Sequence, residues 1–310
     1  MAIDANNIYS KQVQLLVRVL PLVATEKCFA LKGGTAINLF YRDLPRLSVD
    51  IDLLYIPMDD RETALANIRA ALSRISKLIV QTIQGTKVQD AHEQSDALRL
   101  IVSQGEVRIK VELSPVIRGT VFPEEMKEVS ELVEKEFGYV EMQLSSLPDL
   151  YAGKLCAALD RQHPRDLFDV KFLLENEGLT ENLRKTFLVF LISHQRPISE
   201  LLAPNRKDLA EVYETEFRQM AKVDVPLEQL EEARETLINL INANMTDNEK
   251  KFLLSFKNKK PDWNLLEMDN IDTIANLPSV RWKMINLEQM PHQKHQEALQ
   301  KLQHILYPKG

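Results

Sequence analysis

Hydrophobic positions recur with two different periods along this chain, helical and alternating stretches interleaved up to about residue 145 and helical ones dominating beyond it. Helical spacing of Ile8, Leu15, Leu16, Val19, Leu20 and Val23 predicts an opening helix over 7–24. An apolar run at 28–31 reads as a strand, followed by a Gly33-Gly34 turn and a short helix over 35–41 with Ala36, Ile37 and Phe40 on one face. At 49–56 the period becomes two, with Val49, Ile51 and Leu53 on one side and Asp50 and Asp52 on the other. A helix over 59–77 buries Leu65, Ile68, Leu72 and Ile75, and a strand over 78–83 and a polar loop over 84–96 follow. Two alternating runs about Gln104-Gly105 predict a hairpin, whose second strand carries Arg108, Lys110 and Glu112 on one face. A loop and an acidic amphipathic segment over 116–137, then a short strand over 139–144, complete a first domain, 1–145.

From 146 to 310 the pattern is helical almost throughout. Ser145-Ser146-Leu147-Pro148-Asp149 has helix-start chemistry, and the helix runs to Arg161 with Tyr151, Lys154, Ala158 and Arg161 on one side. Pro164 suits the first position of the next helix, which brings Arg165 and Asp169 four residues apart. Further helices are expected at 180–193, 206–221, 227–244, 247–257 and 287–306, separated by prolines. The fold class is α+β: a mixed sheet with flanking helices, joined to an all-helical C-terminal domain.

Composition alters this picture little. A hydrophobic fraction of 45% and a charged fraction of 27% are ordinary for a globular protein. No apolar run approaches the ~18 residues of a membrane span, and no secretion signal is evident. Cys28 and Cys156 sit inside apolar patterns without metal-ligand or redox spacing, which points to a reducing compartment, the cytoplasm. The six histidines are scattered, and nothing suggests zinc. A net charge of −6 does not advertise nucleic-acid binding, but Lys250, Lys251, Lys257, Lys259 and Lys260 surround Phe252 and Phe256, with Trp263 just after. Such a segment either holds phosphates and stacks bases or is an amphipathic helix with a lysine-rich solvent face.

The candidate chemistry lies in the glycine turn and the acidic strand. Glycines between a strand and a helix let the backbone approach a ligand, and the first free N–H groups of the helix suit phosphate oxygens. Asp50 and Asp52 point the same way, and two carboxylates about 4–5 Å apart repel by about 3–4 kcal/mol at an effective dielectric of about 20. A divalent cation is the simplest partner, and phosphates plus metal imply a nucleotide.

Gly33-Gly34-Thr35, a short helix, Arg46-Leu47-Ser48 and Asp50-Ile51-Asp52 on a strand resemble the first motif of the nucleotidyltransferase superfamily, and within it the AbiEii/AbiGii toxin family. A second block, Lys154-Leu155-Cys156-Ala157-Ala158, Arg161 and Pro164-Arg165-Asp166-Leu167-Phe168-Asp169, resembles that family's lysine and Arg-Asp-x-x-Asp motifs. The resemblance implies a nucleotidyltransferase core whose active-site cleft the helical domain completes. It implies that Asp50 and Asp52 bind Mg²⁺, with Mn²⁺ as a substitute, and that an NTP is the substrate. Gly33, Gly34, Thr35, Arg46, Ser48 and Arg165 would contact the nucleotide, Lys154 would stabilise developing charge, and Asp169 would orient or deprotonate the attacking hydroxyl, with Asp166 ranked below it. Glu112 is either a third metal-binding carboxylate, as superfamily members often place on such a strand, or one rung of a surface ladder.

The family resemblance further implies a toxin of a bacterial toxin–antitoxin or phage-exclusion pair, with a cognate antitoxin or antitoxin-controlled operon. Its relatives transfer nucleotides to the 3′ end of tRNA and block translation. Two alternatives keep their place beside that expectation: transfer to a protein or small-molecule hydroxyl, and a non-catalytic regulator that binds a nucleotide or a partner.

Overall fold

A computed structural model of the protein describes residues 7–90 and 98–308. The chain divides into two compact units, one comprising residues 1–146 with 218–224 and the other 147–217 with 225–310. The part of the predicted polar loop that spans 91–97 lies outside the described residues.

The first unit is built on a seven-stranded sheet of order β3-β4-β5-β2-β1-β7-β6. Its strands are β1 (Phe29–Lys32), β2 (Asp50–Tyr55), β3 (Thr86–Asp90), β4 (Leu98–Gln104), β5 (Val107–Arg118), β6 (Glu125–Glu128) and β7 (Glu141–Leu144). The acidic strand β2 is central, antiparallel to β1 and parallel to β5. Helix α1 (Ile8–Val23) opens on Asn7, whose side chain accepts from Tyr9 N at 2.8 Å, and buries Val13, Leu16, Val19, Leu20 and Val23. Helix α2 (Gly33–Ala36) begins two residues earlier than the pattern suggests and widens into a π turn, Ile37–Tyr41, closed by Arg42 N donating to Ile37 O at 3.0 Å. Such wide turns inside helices recur at functional sites.

Two expectations fail in this unit for identifiable reasons. Helix α3 (Arg61–Thr82) continues through the predicted strand at 78–83, because Ile79 extends the buried stripe of Ile68, Leu72 and Ile75. Helical stripe and cap, with Asp60 accepting from Glu62 N and Thr63 N, override the β propensity of Leu78-Ile79-Val80. The strand is Thr86–Asp90, paired antiparallel to β4. The 116–137 segment, read as a loop and an acidic amphipathic stretch, contains α4 (Glu131–Phe137) but also β6, which pairs antiparallel to β7.

The second unit is helical: α5 (Leu147–Asp160), α6 (Pro164–Asn176), α7 (Glu181–Ser193), α8 (Ile198–Leu202), α9 (Ala210–Val212), α10 (Leu227–Asn244), α11 (Asp247–Lys257), α12 (Ile271–Asn276), α13 (Pro278–Glu288) and α14 (His292–Leu306). The helix expected at 206–221 is only α9 and a π turn, Tyr213–Phe217, after which the chain departs at Arg218 to join the first unit. The helix expected at 287–306 starts at His292, because Pro291 separates it from α13. Among the described residues no helix is long and apolar enough to cross a membrane.

Candidate active site

In the first unit the glycine turn, the loop over 43–48 and strand β2 converge. Gly33 has φ +75°, a left-handed conformation natural to glycine, and a Cβ there would stand 2.5 Å from Asp52 Oδ2. At Gly34 a Cβ would meet Arg46 Nη2 at 2.6 Å and Ser48 Oγ at 3.0 Å. The two glycines therefore leave room for a carboxylate, a guanidinium and a hydroxyl against one turn. Thr35 Oγ1 donates to Asp50 O at 2.5 Å and lies 3.0 Å from Ser48 Oγ, which ties the start of α2 to the start of β2. Asn38 Nδ2 donates to Gly34 O at 2.9 Å and fixes the turn from the helix side.

Arg46 is only 3% exposed, and its Nη1 donates to Leu47 O at 3.1 Å. Its charge acts from behind the glycine turn rather than from a solvent-facing position. Asp50 and Asp52 are half-buried on one face of β2. Sheet register places Lys32 of β1 and Glu112 of β5 on either side of Asp52, and Lys110 of β5 beside Asp50. Arg99 of β4 is the register partner of Glu112 and pairs with it at 3.3 Å. One row across four strands thus reads Arg99, Glu112, Asp52, Lys32, with acids inside and cations outside. Part of the repulsion expected between Asp50 and Asp52 is relieved by this lattice of fixed charges. Strand pairing brings Lys32 and Arg99 to this row and Lys110 beside Asp50, and a side-chain bond to Gly34 O brings Asn38 to the turn.

Two hard oxygen donors on one strand face, beside a turn that admits no side chain, fit Mg²⁺. Among the described residues no group of three or more His, Cys, Asp or Glu is arranged as a ready metal cage. A cation held there would need its remaining ligands from phosphate and water.

In the second unit Lys154 Nζ lies 2.8 Å from Asp166 Oδ1 and 2.9 Å from Asp169 Oδ2. Arg161 adds a forked pair to Asp166 through Nε and Nη2, the latter at 2.9 Å. Asp166 is fully buried and Lys154 and Asp169 are nearly so. Burial pushes the Asp166 carboxyl up, but the charge of Lys154 and the hydrogen bonds and charge of Arg161 outweigh it and hold the group well below the usual carboxylate range. Two cations and two anions form a neutral knot between α5 and α6. Its centre is Asp166, which motif reading ranked below Asp169. Tyr151 and Ala158, on the same helix stripe as Lys154, are fully buried, so most of the stripe is core. Arg165 is half-buried, and its backbone N donates to His163 Nδ1 at 3.1 Å in the cap of α6.

The aromatics of the basic segment are core residues. Phe252 and Phe256 are fully buried and pack on Trp263 with ring centroids 5.4 Å and 6.2 Å away. Lys251 pairs with Asp247 at 2.7 Å, and Lys250 stands over the Tyr307 ring at 5.6 Å. Burial lowers the Lys257 pKa, and the charges of Lys259 and Lys294 lower it further. The amphipathic-helix reading holds for the aromatics, while the lysine charges cluster with others from α14.

A central strand with two acids on one face, a preceding strand, glycine turn and helix, and a mixed sheet flanked by helices define a nucleotidyltransferase-like fold. The chain belongs to the family described as "Nucleotidyl transferase AbiEii toxin, Type IV TA system", whose profile matches residues 14–284. Among solved structures the chain is similar to MenT4, a nucleotidyltransferase toxin from Mycobacterium tuberculosis H37Rv, with a TM-score of 0.62 and 15% identity over 96% of this chain and 95% of that one. At that identity the likeness concerns the fold. No curated protein sequence matches the chain. Membership makes this protein a nucleotidyltransferase toxin of a type IV toxin–antitoxin system, with a nucleotide substrate and a cognate antitoxin.

Proposed function

We propose that this protein transfers a nucleotide from a Mg²⁺-bound NTP to the 3′ end of a tRNA in the cytoplasm and thereby blocks translation. The observation that carries the nucleotide half is the approach of Gly33 to Asp52, 2.5 Å for an added Cβ, which joins a phosphate-type turn to the acidic strand face. Bound Mg²⁺ would be held by Asp50 and Asp52 and would supply neutralisation of the triphosphate charge. Gly33, Gly34 and Thr35 offer backbone N–H groups to phosphate oxygens at the start of α2. Ser48 Oγ, 3.0 Å from the Gly34 Cβ position, orients a phosphate from the side, and the buried Arg46 adds positive potential from behind. Glu112, beside Asp52 in register, is a third acid available to the metal or to the proton of the attacking hydroxyl. The catalytic roles of Lys154 and Asp169 and the nucleotide contact of Arg165 rest on the family motif.

The tRNA acceptor is supported by family membership and by the lysines at the end of α11. The decisive experiment incubates purified protein with bulk tRNA, Mg²⁺ and each labelled NTP in turn, beside Asp50→Ala and Asp52→Ala variants. Label on RNA that disappears in both variants is the expected result. Label on protein or a small molecule would move the acceptor, and no transfer anywhere would favour a binding module.

A further inference from the structure

The loop that brings Arg46 and Ser48 to the glycine turn has one backbone bond to its sequence neighbours, Leu44 N donating to Asn38 O at 3.0 Å. At 45–47 it is held by a segment far along the chain. Leu47 N donates to Met220 O at 2.8 Å, Lys222 N donates to Pro45 O at 2.9 Å, and Val223 N donates to the same oxygen at 3.1 Å. Arg46 and Ala221 form an antiparallel bridge between these bonds. Residues 218–224 belong to the first unit although the chain on both sides belongs to the second. Lys222 Nζ lies 3.6 Å from Glu136 of α4, and Asn7 Nδ2 donates to Gln219 O at 3.3 Å, so the strap is anchored at more than one point.

We propose that Met220, Ala221 and Lys222 form a positioning strand for the phosphate-binding turn. The inference rests on the nucleotide reading given above. Contacts run without a gap from strap to turn. The strap fixes the backbone at 45–47, where Arg46 donates to Leu47 O and lays its guanidinium against Gly34. Ser48, the next residue, meets Thr35, which is itself bonded to the first residue of the acidic strand. A loop of this kind has no regular pairing of its own, and binding is weakened when the groups that meet a ligand must first be ordered. The strap therefore sets nucleotide affinity through preorganisation and touches neither nucleotide nor acceptor.

The test uses the full-length protein with Lys222→Pro, which deletes one strap donor, and Lys222→Ala, which keeps the backbone N–H and removes the side chain. The expected result for Lys222→Pro is an NTP KM raised about tenfold or more with kcat within about twofold of wild type, and restoration of KM in Lys222→Ala. Hydrogen exchange should accelerate at residues 33–36 and 45–48 and stay unchanged in β4 and β5. Wild-type KM and wild-type exchange in Lys222→Pro would overturn the proposal. So would acceleration throughout the first unit, or a Lys222→Pro protein too unstable to purify while Lys222→Ala is normal, since the strap would then be a general structural brace. If the wild type transfers no nucleotide at all, the nucleotide reading fails, and the local exchange pattern alone decides whether the strap positions the turn.

Discussion

Gly33 and Asp52 share a space that holds only one side chain. A methyl group at Gly33 would stand 2.5 Å from Asp52 Oδ2, and the residue sits at φ +75°. Gly33→Ala therefore meets two penalties, a left-handed backbone that costs about 1–3 kcal/mol for a non-glycine residue and displacement of a carboxylate. We expect transfer activity to fall by more than about 100-fold while the thermal melting temperature drops by only several degrees. Assay and melt on one preparation separate the two; a variant that melts lower yet transfers normally would show that Asp52 need not stay where it is.

Asp166 is the group on which the knot in the helical unit depends. Asp166→Asn takes one of two buried carboxylates from Lys154, which keeps Asp169 at 2.9 Å, so the loss should stay below the about 3–5 kcal/mol of a buried charge left wholly unpaired and still exceed that of the exposed partner. Arg161→Ala should cost no more than about 1 kcal/mol, because that side chain is 58% exposed and solvent screens its charge. Urea unfolding of the two variants checks the order, and equal losses would refute it.

The same carboxylate predicts a pH dependence. Its folded-state pKa lies below the unfolded value of about 3.9, so the unfolded chain binds the proton more readily and stability is lost on acidification. The contribution of the knot is complete above roughly pH 5 and fades as pH falls through the acid range. Urea midpoints at pH 6 and pH 3 should differ more in the wild type than in Asp166→Asn.

Phe252 and Lys259 lie seven residues apart and should behave as different kinds of residue. Phe252→Ala removes a fully buried ring and should cost about 3–5 kcal/mol. Lys259→Gln and Lys260→Gln should leave stability unchanged and each lower the salt slope of tRNA binding by about one. A titration of binding against salt measures this, and unchanged slopes would remove the two lysines after α11 from the proposed RNA contact.

Neither thiol should react rapidly in the native protein. Burial, with the charge of Glu26, pushes the Cys28 thiol up to about 11, and burial pushes Cys156 up as well. The reactive thiolate is thus scarce at pH 8. A thiol-reactive chromophore should label Cys156 only in urea and the half-buried Cys28 slowly in the native protein; rapid labelling of two equivalents in native protein would contradict this.

How far the sequence disclosed this arrangement depends on the distance over which each feature is specified. The turn at Gly33, the two acids of β2 and the hairpin at Gln104-Gly105 are local, and period and turn chemistry reveal them. The row of Lys32, Asp52, Glu112 and Arg99 depends on which strands lie side by side, which no single run of residues states. The ion pairs of Asp166 escape the pattern because its first-turn position in α6 has an ordinary explanation in the helix dipole, while Lys154 and Arg161 reach it from α5 and the residue after it. The departure of the chain at Arg218 was hidden for another reason: residues 206–221 carry a plausible helical composition, and backbone pairing to 45–47 leaves no mark in side-chain pattern.

The strap also orders events in time. Synthesis proceeds from the N-terminus at roughly 5–20 residues per second, so the sheet of the first unit emerges well before residues 218–224. For several seconds a nascent chain holds every strand and both acids of β2, yet Leu47 N and Pro45 O lack their partners. A translating ribosome therefore carries a nucleotidyltransferase toxin whose phosphate-side loop is not yet braced.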